Sequence, residues 1–582
     1  MEVTPVVNPT RPLRSARTGR GARRGPGVQP APRIPSTPRI RPGARLAAVL
    51  LVACGLAFPG GAAGQSLSVR DPLTDYVRIL EITGRGPIGS GFTRHGELPA
   101  GWPADSASHP WAERLARIRR PGAGDAEGAP VQVIPTGALL RTSLNTGHPF
   151  GGNDGALWQG RGLSGAVEAG FEVRWKGVTA RVQPEALWAQ NVYFDIVPAA
   201  RAGLPEVAYP WRVIDLPQRP GRETWSRVGL GESELRVDAR GVTFGVGHRA
   251  RWWGPGVRNA ILLSDNAGGF PHAFVGTRRP VDIGIGTLDV LYLHGGLKQS
   301  DWFDEAERRN ERFLTGLLVG LSPDWPRGLS LGGARMFYGR VAESGRSFED
   351  LLLPLTNLRK KAFVSEENPT GDDELDQMLS LFMRWVLPES GFEVYVEWAR
   401  TDHAWDFRDL ILEPEHAQGR TLGLRHSTEL SGDRLVVLGL EVTDISKTPT
   451  FQVRINPTWY QHWFVRQGYT HRGQLLGASV GPGGSAQALT ADLYDPRGRL
   501  GLVLERRVHE NDAYYALATP DDLSFCCHDV SFSAGPRLTY FRDDLELEGR
   551  TVLTRRLNRY FVRGDDVWNL HLGVSARWRP GE

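Results

Sequence analysis

Apolar and polar residues alternate with a period of two along most of the chain from about residue 136 onward. The segment NLHLGVSARW, residues 569–578, would carry apolar side chains on one face and polar, small or charged side chains on the other. The segments GFEVYVEWAR (391–400), VSFSAGPRLTY (530–540) and GVTFGVGHRARWW (241–253) repeat this pattern. Because successive side chains of a strand point to opposite sides, the pattern predicts β-strands with one apolar face.

The length of these segments separates two explanations of the alternation. A soluble antiparallel sheet with one wet face also alternates, but its strands average about five or six residues. The segments here approach the length of about ten residues that a tilted transmembrane strand needs. We count roughly 16 to 20 of them, many joined by short turns such as Lys176–Gly177. The sequence therefore predicts an all-β transmembrane protein, an antiparallel outer-membrane β-barrel over residues 136–582.

Residues 1–64 have the features of an export signal with an extended basic leader. The basic segment is followed by the apolar run Leu46–Phe58 and by a small-residue cleavage site before Gln65. A lipoprotein signal that uses Cys54 is an alternative. Residues 65–135 show apolar residues at helical spacing, which predicts a small N-terminal helical periplasmic segment.

The leader also changes the meaning of the net charge. The chain has 69 basic and 65 acidic residues, but residues 1–45 hold 10 arginines and a single acid. The remaining chain therefore has 59 basic and 64 acidic residues. Nucleic-acid binding loses its main electrostatic argument, because the basic excess belongs to the leader.

The stretch TGDDELDQMLSLFMRWVLP, residues 370–388, fits two descriptions. It begins with an acidic run typical of a helix start, yet its second half alternates like a strand. We predict a long charged loop over about 346–378, followed by a strand. Loops of that length are usually functional or disordered.

The stretch RWWGPGVRNAILLSDN, residues 251–266, puts Trp252 and Trp253 side by side where a predicted strand ends. Adjacent rings on a strand must point to opposite faces. At the rim of a barrel both faces meet an interface, and indole rings favour such boundaries. We therefore expect this pair at the rim, with Gly254-Pro255-Gly256 ending the strand.

Carbohydrate binding fits the residue composition, because sugars are held by flat aromatic faces together with planar polar groups. The densest example is WYQHWFVRQGYTHRGQLLG, residues 459–477. The candidate binding residues are Arg251, Trp252, Trp253, Arg258, Asn259, Tyr469, His471 and Arg472. The alternative is structural: the aromatics form an interface girdle, and the inward-facing charges neutralise one another in the lumen. Those charges are Arg249, Arg251, Glu393, Glu397, Arg537 and Arg577.

Catalytic chemistry finds little support. The chain has no HExxH or P-loop motif, and the neighbours His426 and Ser427 are a weak signal for a lipase. The run Cys526–Asp529 holds metal-ligand residue types, but four consecutive residues do not easily surround one ion. Cys526 and Cys527 are not expected to bond to each other either, and we predict no disulfide framework. We predict no catalytic site, no metal and no cofactor.

Four segments, taken in order and spacing, resemble the Wzi-type outer-membrane capsule-assembly proteins. They are RWWGPGVRNAILLSDNAGGFPH (251–272), GFEVYVEWARTDH (391–403), LEPEHAQGRTLGL (412–424) and QGYTHRGQLLGASVGPGGS (467–485). The resemblance covers most of the chain after about residue 70. It implies an 18-stranded barrel with a small periplasmic helical bundle, and a lectin-like, non-catalytic role in holding capsular polysaccharide on the cell surface.

The sequence therefore predicts an outer-membrane barrel that binds and anchors capsular or extracellular polysaccharide. Its expected partners are that polysaccharide, outer-membrane lipid and the polysaccharide export machinery, with no nucleic acid. Two alternatives stay open at this point. One is a porin or diffusion channel, which needs an open lumen, and the other is a barrel hydrolase.

Overall fold

The computed structural model describes much of the chain from residue 67 onward. The described ranges are 67–94, 109–119, 131–303, 311–341, 348–355, 375–401, 406–430, 433–454, 456–517 and 527–579. The predicted export signal, residues 1–64, lies outside them. In these ranges, no helix is long and apolar enough to cross a membrane.

Strands dominate the described chain. They are β1 Gln132–Asn145, β2 Gly162–Trp175, β3 Val178–Val182, β4 Glu185–Ala189, β5 Trp225–Gly229, β6 Glu234–Ala239, β7 Val242–Gly247, β8 His272–Thr277, β9 Val281–Asp282, β10 Gly286–Leu297, β11 Arg312–Pro323, β12 Leu329–Arg340, β13 Leu375–Leu387, β14 Phe392–Thr401, β15 Gln418–Leu430, β16 Arg434–Asp444, β17 Thr470–His471, β18 Gln474–Leu475, β19 Ser485–Asp495, β20 Gly498–His509, β21 Asp529–Arg542, β22 Leu545–Leu557 and β23 Val567–Trp578. The α-helices are α1 Pro72–Ile82, α2 Ala112–Arg119, α3 Phe348–Leu351, α4 Phe407–Leu412 and α5 Asn511–Leu517. Short 3-10 turns cover Leu353–Leu355, Pro388–Ser390, Pro449–Gln452 and Arg559–Phe561.

The strands form one closed antiparallel barrel. Three positions in the barrel wall are each occupied by two short successive strands: β3 with β4, β5 with β6, and β8 with β9. With the small hairpin β17–β18 set apart, the described strands make an 18-stranded barrel, and β1 pairs with β23 to close it. The predicted fold class is confirmed. β1 begins at Gln132, slightly before the predicted start of the barrel.

The two ends of the barrel differ in their connections. One end has tight turns, such as Lys176–Gly177 between β2 and β3, where both residues have positive φ as a two-residue hairpin requires. The opposite end carries the long connections, including 190–224, 248–271 and 445–484. We call these the short-turn end and the long-loop end. In outer-membrane barrels the short turns face the periplasm and the long loops face outward.

The alternation predicted from the sequence is the in-and-out pattern of the barrel wall. On β23, the outward side chain of Val574 is 58% exposed, whereas the inward Asn569 and His571 are fully buried. On β14, Glu393, Tyr395 and Glu397 likewise point into the lumen. Since the outward side chains form an apolar band, the wall is matched to lipid on its outer face.

Helix α1 lies in the lumen at the short-turn end. It begins after Asp71, whose carboxylate accepts a hydrogen bond from Leu73 N, with Pro72 at the first helical position. Its apolar face packs against inward residues of the wall, including Leu435 and Tyr494. Its charged residues make ion pairs with strand residues: Arg78 with Glu393, Glu81 with Arg384, Asp75 with Arg425, and Asp71 with Arg577.

Two expectations need correction. Strand β13 begins at Leu375, so the long loop predicted for 346–378 ends earlier; Gln377 and Met378 already pair with β12. Of the rest of that loop, the structure describes 348–355, where α3 and a 3-10 turn form. Cys527 forms a disulfide bond, contrary to the expectation of no disulfide, and its partner cysteine lies outside the described residues.

Candidate functional site

Two long connections fold inward and fill much of the barrel. We call residues 248–271, between β7 and β8, the first lumen loop, and residues 456–484, between β16 and β19, the second lumen loop. Both pack against the inward faces of β10 to β14 in one hydrophobic core, which includes Trp253, Ile261, Met336, Tyr460 and Tyr469. The lumen is therefore occupied by the chain itself.

Trp252 and Trp253 lie deep in this core, which corrects the predicted position at the rim. Their side chains are 2% and 0% exposed. The Arg94 guanidinium stacks 4.1 Å from the Trp252 ring centroid, and Trp253 N donates to Leu263 O at 2.9 Å. The sequence argument failed because the segment turns inward at the end of β7, where one strand face no longer meets lipid.

Two inward carboxylates hold the first lumen loop by its backbone. Glu441 on β16 accepts hydrogen bonds from the consecutive amides of Val257, Arg258 and Asn259, at 2.7 to 3.2 Å. Glu397 on β14 accepts from Ile261 N at 3.3 Å. These amides converge on a charged acceptor in the manner of a backbone anion site.

The glycines of Gly254-Pro255-Gly256 allow this close approach. Gly254 has a φ of +124°, and a Cβ there would stand 3.0 Å from a Glu397 carboxylate oxygen. A Cβ on Gly256 would stand 2.1 Å from Asn259 O. The Gly-Pro-Gly turn therefore shapes the loop tip inside the barrel.

Replacing Glu441 by alanine is expected to destabilise the barrel by about 2 kcal/mol or more. The buried Asn259 amide, the part-buried amides of Val257 and Arg258, and the Tyr395 hydroxyl, which donates to Glu441 at 2.8 Å, would lose their acceptor. Urea unfolding of the purified barrel measures the loss. The matched control is Glu429→Ala, which removes a half-exposed carboxylate paired with Arg85 and is expected to change little. Equal unfolding midpoints for the two variants would contradict the anchoring role.

The second lumen loop completes the core with its own candidate residues. Tyr469 is fully buried and stacks on Tyr460, with ring centroids 5.9 Å apart. Tyr460 donates to Ile261 O at 2.8 Å, which joins the two loops. His471 is buried, and its Nδ1 lies 3.2 Å from Lys298 N. Arg472 is partly exposed, and its backbone amide donates to Lys298 O.

A polar cavity of about 420 Å³ remains between the first lumen loop and the wall formed by β1 and β20 to β23. Arg258 and Asn259 line it, so the structure brings these two predicted residues to one site. Arg258 pairs with Glu505, which also binds Arg507 at 2.9 Å. Asn259 accepts a hydrogen bond from the Ser479 hydroxyl at 3.1 Å.

Arginines outnumber carboxylates around this lumen cavity. Its arginines are Arg70, Arg94, Arg141, Arg258, Arg499, Arg507, Arg537 and Arg550, and its carboxylates are Asp71, Asp75, Asp154, Glu505 and Glu548. Most of these arginines also have a carboxylate partner, which for several of them lies behind the lining: Arg70 and Arg141 pair with Glu168, and Arg537 pairs with Asp492. The cavity therefore presents many guanidinium groups, whose charge is largely balanced within the protein.

Burial and pairing set the protonation of the loop residues near this cavity. Burial opposes the charge of Arg258, but Glu505 outweighs it and raises the pKa of Arg258. Burial raises the pKa of Asp265 to about 8, although Arg70 lies 3.4 Å away. Burial and the ion pair with Arg70 thus act in opposite directions on Asp265.

A second depression of about 390 Å³ lies at the rim of the long-loop end. It is lined by Arg161, Arg559, Tyr193 and Trp568, and the two rings are 59% and 52% exposed. Arg161 donates to the backbone carbonyl Tyr193 O at 2.7 Å, and the Arg219 guanidinium lies 5.5 Å from the Tyr193 ring centroid. The sequence analysis missed these residues because they lie far apart in the chain, on separate loops and on β23.

The remaining candidates have structural partners. Arg251 is buried, pairs with Glu234 and donates to His272 Nε2 at 3.0 Å. Ion pairs also occupy most of the inward charges: Arg249 with Glu232, Glu393 with Arg384, Arg537 with Asp492, and Arg577 with Glu546. Glu397 instead accepts hydrogen bonds from the Ser380 hydroxyl and Ile261 N. The alternative of charges that neutralise one another in the lumen describes the lumen-facing arginines well.

A closed 18-stranded barrel with an apolar outer band and loops folded into its lumen defines an outer-membrane β-barrel. The family model described as capsule assembly protein Wzi matches residues 132–555, most of the barrel. The chain belongs to this family, which confirms the resemblance seen in the sequence.

One solved structure supports the fold. Wzi of Escherichia coli, an outer-membrane protein involved in group 1 capsule assembly and a carbohydrate-binding β-barrel, matches with a TM-score of 0.54 and 13% identity, covering 88% of this chain and 99% of its own. A BenF-like porin from Pseudomonas fluorescens Pf-5 matches with a TM-score of 0.38 and 9% identity, covering 77% and 98%. The search of curated proteins found no match.

Proposed function

We propose that this chain binds acidic capsular or extracellular polysaccharide at the cell surface and anchors it there. The observation that carries the proposal is the arginine-rich cavity beneath the long loops of a barrel that belongs to the capsule assembly family. Acidic sugars suit this site, because guanidinium groups form charge-assisted hydrogen bonds with carboxylates. The solved Escherichia coli relative, a carbohydrate-binding β-barrel, supports the same ligand class.

Different roles follow for the eight candidate residues. Arg258, Asn259 and Arg472 retain polar groups at a cavity or a partly exposed surface and would contact the glycan. Arg251, Trp252, Trp253, Tyr469 and His471 are buried and would hold the lumen loops in position. At the rim, Tyr193 and Trp568 offer exposed rings for stacking, with Arg161 beside them. Many weak contacts of this kind add up along a polymer.

The proposed role is non-catalytic. The described carboxylates and histidines of the lumen serve ion pairs and hydrogen bonds within the chain, as Glu441 and His272 do. A diffusion channel is less well supported, because the lumen loops and helix α1 occupy the interior. Outer-membrane lipid around the apolar band and the polysaccharide export machinery are the further partners that we propose.

Glycan retention in the source bacterium, with and without the gene, tests the function directly. Surface-attached and medium-released polysaccharide are measured separately. We expect deletion to move polysaccharide from the cells to the medium while total synthesis stays unchanged. Unchanged attachment would refute the anchoring role.

Binding of purified polysaccharide to the isolated barrel tests the site. Arg258→Gln and the pair Arg161→Gln with Tyr193→Ala are each expected to weaken binding about fivefold, the equivalent of about 1 kcal/mol. The loss for Arg258→Gln should shrink at high salt. The control is Arg434→Gln, an exposed arginine at the short-turn end. If the control variant loses as much affinity for the polysaccharide as the site variants do, the proposed binding site is refuted.

A further inference from the structure

The barrel wall is interrupted on one side of the long-loop end. Strand β5 pairs with β4, and no described strand pairs with its other edge. Strand β7 ends at Gly247 and strand β8 begins at His272, so neither strand extends toward the long-loop end as far as β5 does. At the long-loop end, β10 pairs with β11 on one edge. Near its other edge the second lumen loop bonds the chain from the lumen side, where Arg472 N donates to Lys298 O at 2.7 Å.

This interruption forms a cavity of about 880 Å³, which we call the wall notch. Its outer part is apolar and continuous with the lipid-facing surface. The residues that form this part are Val182, Leu230, Leu235, Val246 and Ala273. Leu230 and Val246 are 58% and 54% exposed, so the notch opens toward the membrane. A volume of this size accepts a lipid chain rather than a few waters.

Cations gather where the notch meets the lumen. His248 and Lys298 line it, and Arg227 and Arg472 stand behind them on the lumen side. Burial, together with nearby Arg472, Lys298 and Arg227, lowers the pKa of His248. His248 is therefore a neutral hydrogen-bonding group at neutral pH, and the cations near it are Lys298, Arg227 and Arg472.

Opposing charge is sparse at this point. Among the described residues, no carboxylate lies within 4 Å of the charged groups of Lys298, Arg227 or Arg472. Of the two acids that line the notch, Glu234 is already paired with Arg251. Glu311 lies opposite Lys298, one position beyond the Leu297–Arg312 pair, and Glu185 attracts Arg227 from a greater distance than an ion pair. Because these cations lack a short ion pair, an anion could add charge-assisted contacts to them.

We propose that the wall notch is a binding site for a membrane phospholipid of net negative charge, whose acyl chain fills the apolar part and whose headgroup meets Lys298, His248 and the arginines behind them. An apolar groove on a lipid-facing wall, with cations without short ion pairs at one end of it, fits an anionic amphiphile. This site is separate from the lumen cavity around Arg258. It would fix the barrel to one class of lipid in the surrounding leaflet.

Native mass spectrometry of the detergent-solubilised barrel tests the site, with phosphatidylglycerol and phosphatidylcholine as probes. The unmodified barrel is expected to retain phosphatidylglycerol preferentially. Lys298→Gln combined with Arg227→Gln should reduce that preference about fivefold. Gly296→Leu should lower retention of both lipids, because a Cβ at Gly296 meets only Pro271 Cγ at 4.0 Å and the larger side chain would fill the notch.

Lys176→Gln combined with Arg240→Gln is the matched control, since it removes two exposed charges at turns of the short-turn end. This control should keep the lipid preference. Equal losses in control and notch variants would overturn the proposal, as would a barrel that retains both lipids equally. Binding of inorganic phosphate with the same affinity as phosphatidylglycerol would overturn the lipid assignment, because the acyl chain would then contribute nothing.

Discussion

A barrel that lacks residues 252–266, replaced by a short Gly-Ser linker, is expected to conduct ions in planar bilayers where the unmodified barrel stays closed. The deletion removes Trp252, Trp253 and the Ile261–Leu263 run from the lumen core. Barrels of 16 to 18 strands enclose an aqueous channel unless their interior is filled. We expect single-channel conductance to rise by about tenfold or more over the unmodified protein.

The matched control is deletion of residues 200–203, an exposed tip of the connection between β4 and β5. It shortens a long loop without touching the lumen core, so it should remain closed. Antiparallel β-structure, measured by circular dichroism, shows whether the deletion variant still folds. A folded deletion variant with no conductance would mean that helix α1 and the second lumen loop seal the barrel alone.

Arg384→Ala is expected to destabilise the protein by about 3–5 kcal/mol, the usual loss when one partner of a buried ion pair is removed. Arg384 is fully buried on β13, where it pairs with Glu81 of α1 at 2.7 Å and with Glu393 at 2.5 Å. Its removal leaves two buried carboxylates with one cation fewer. Urea unfolding gives the free energy, and limited proteolysis reports whether α1 leaves the lumen.

Arg420→Ala provides the comparison for this variant. Arg420 is 62% exposed and pairs with Asp444 at 3.2 Å on the outside of the barrel, so its loss should amount to about 1 kcal/mol or less. A similar midpoint for both variants would show that α1 contributes little to the stability of the barrel. Rapid proteolysis of α1 with an unchanged midpoint would show that helix and barrel unfold separately.

The barrel was predictable because lipid imposes one rule on every strand. Alternation in segments such as 391–400 and 569–578 follows from lipid on one side and packed polar groups on the other. The start of α1 was equally visible, since Asp71 and Pro72 are local signals. The number of strands came from the family resemblance rather than from the pattern.

The lumen was not predictable in the same way. The sequence shows that Trp252 and Trp253 end a strand, but only tertiary packing turns them inward, toward Phe92 and Leu263. The amides of Val257 to Asn259 meet Glu441 across more than 180 residues, and no local pattern marks that contact. The rim depression brings Arg161 and Trp568 together from distant parts of the chain, so no local pattern marks it either.

The seam between β1 and β23 has a consequence for how the molecule is built. Asp71, just before α1, bonds Arg577 and Arg579 across 506 and 508 residues of chain. These contacts form only after the last strand has joined the barrel. Bringing together residues so far apart in the chain costs conformational entropy, which contacts formed earlier must offset. The contacts of Asp71 with Arg577 and Arg579 are therefore among the last that the barrel can form. Helix α1 is fixed in the lumen from both sides of the seam only when β1 and β23 have paired.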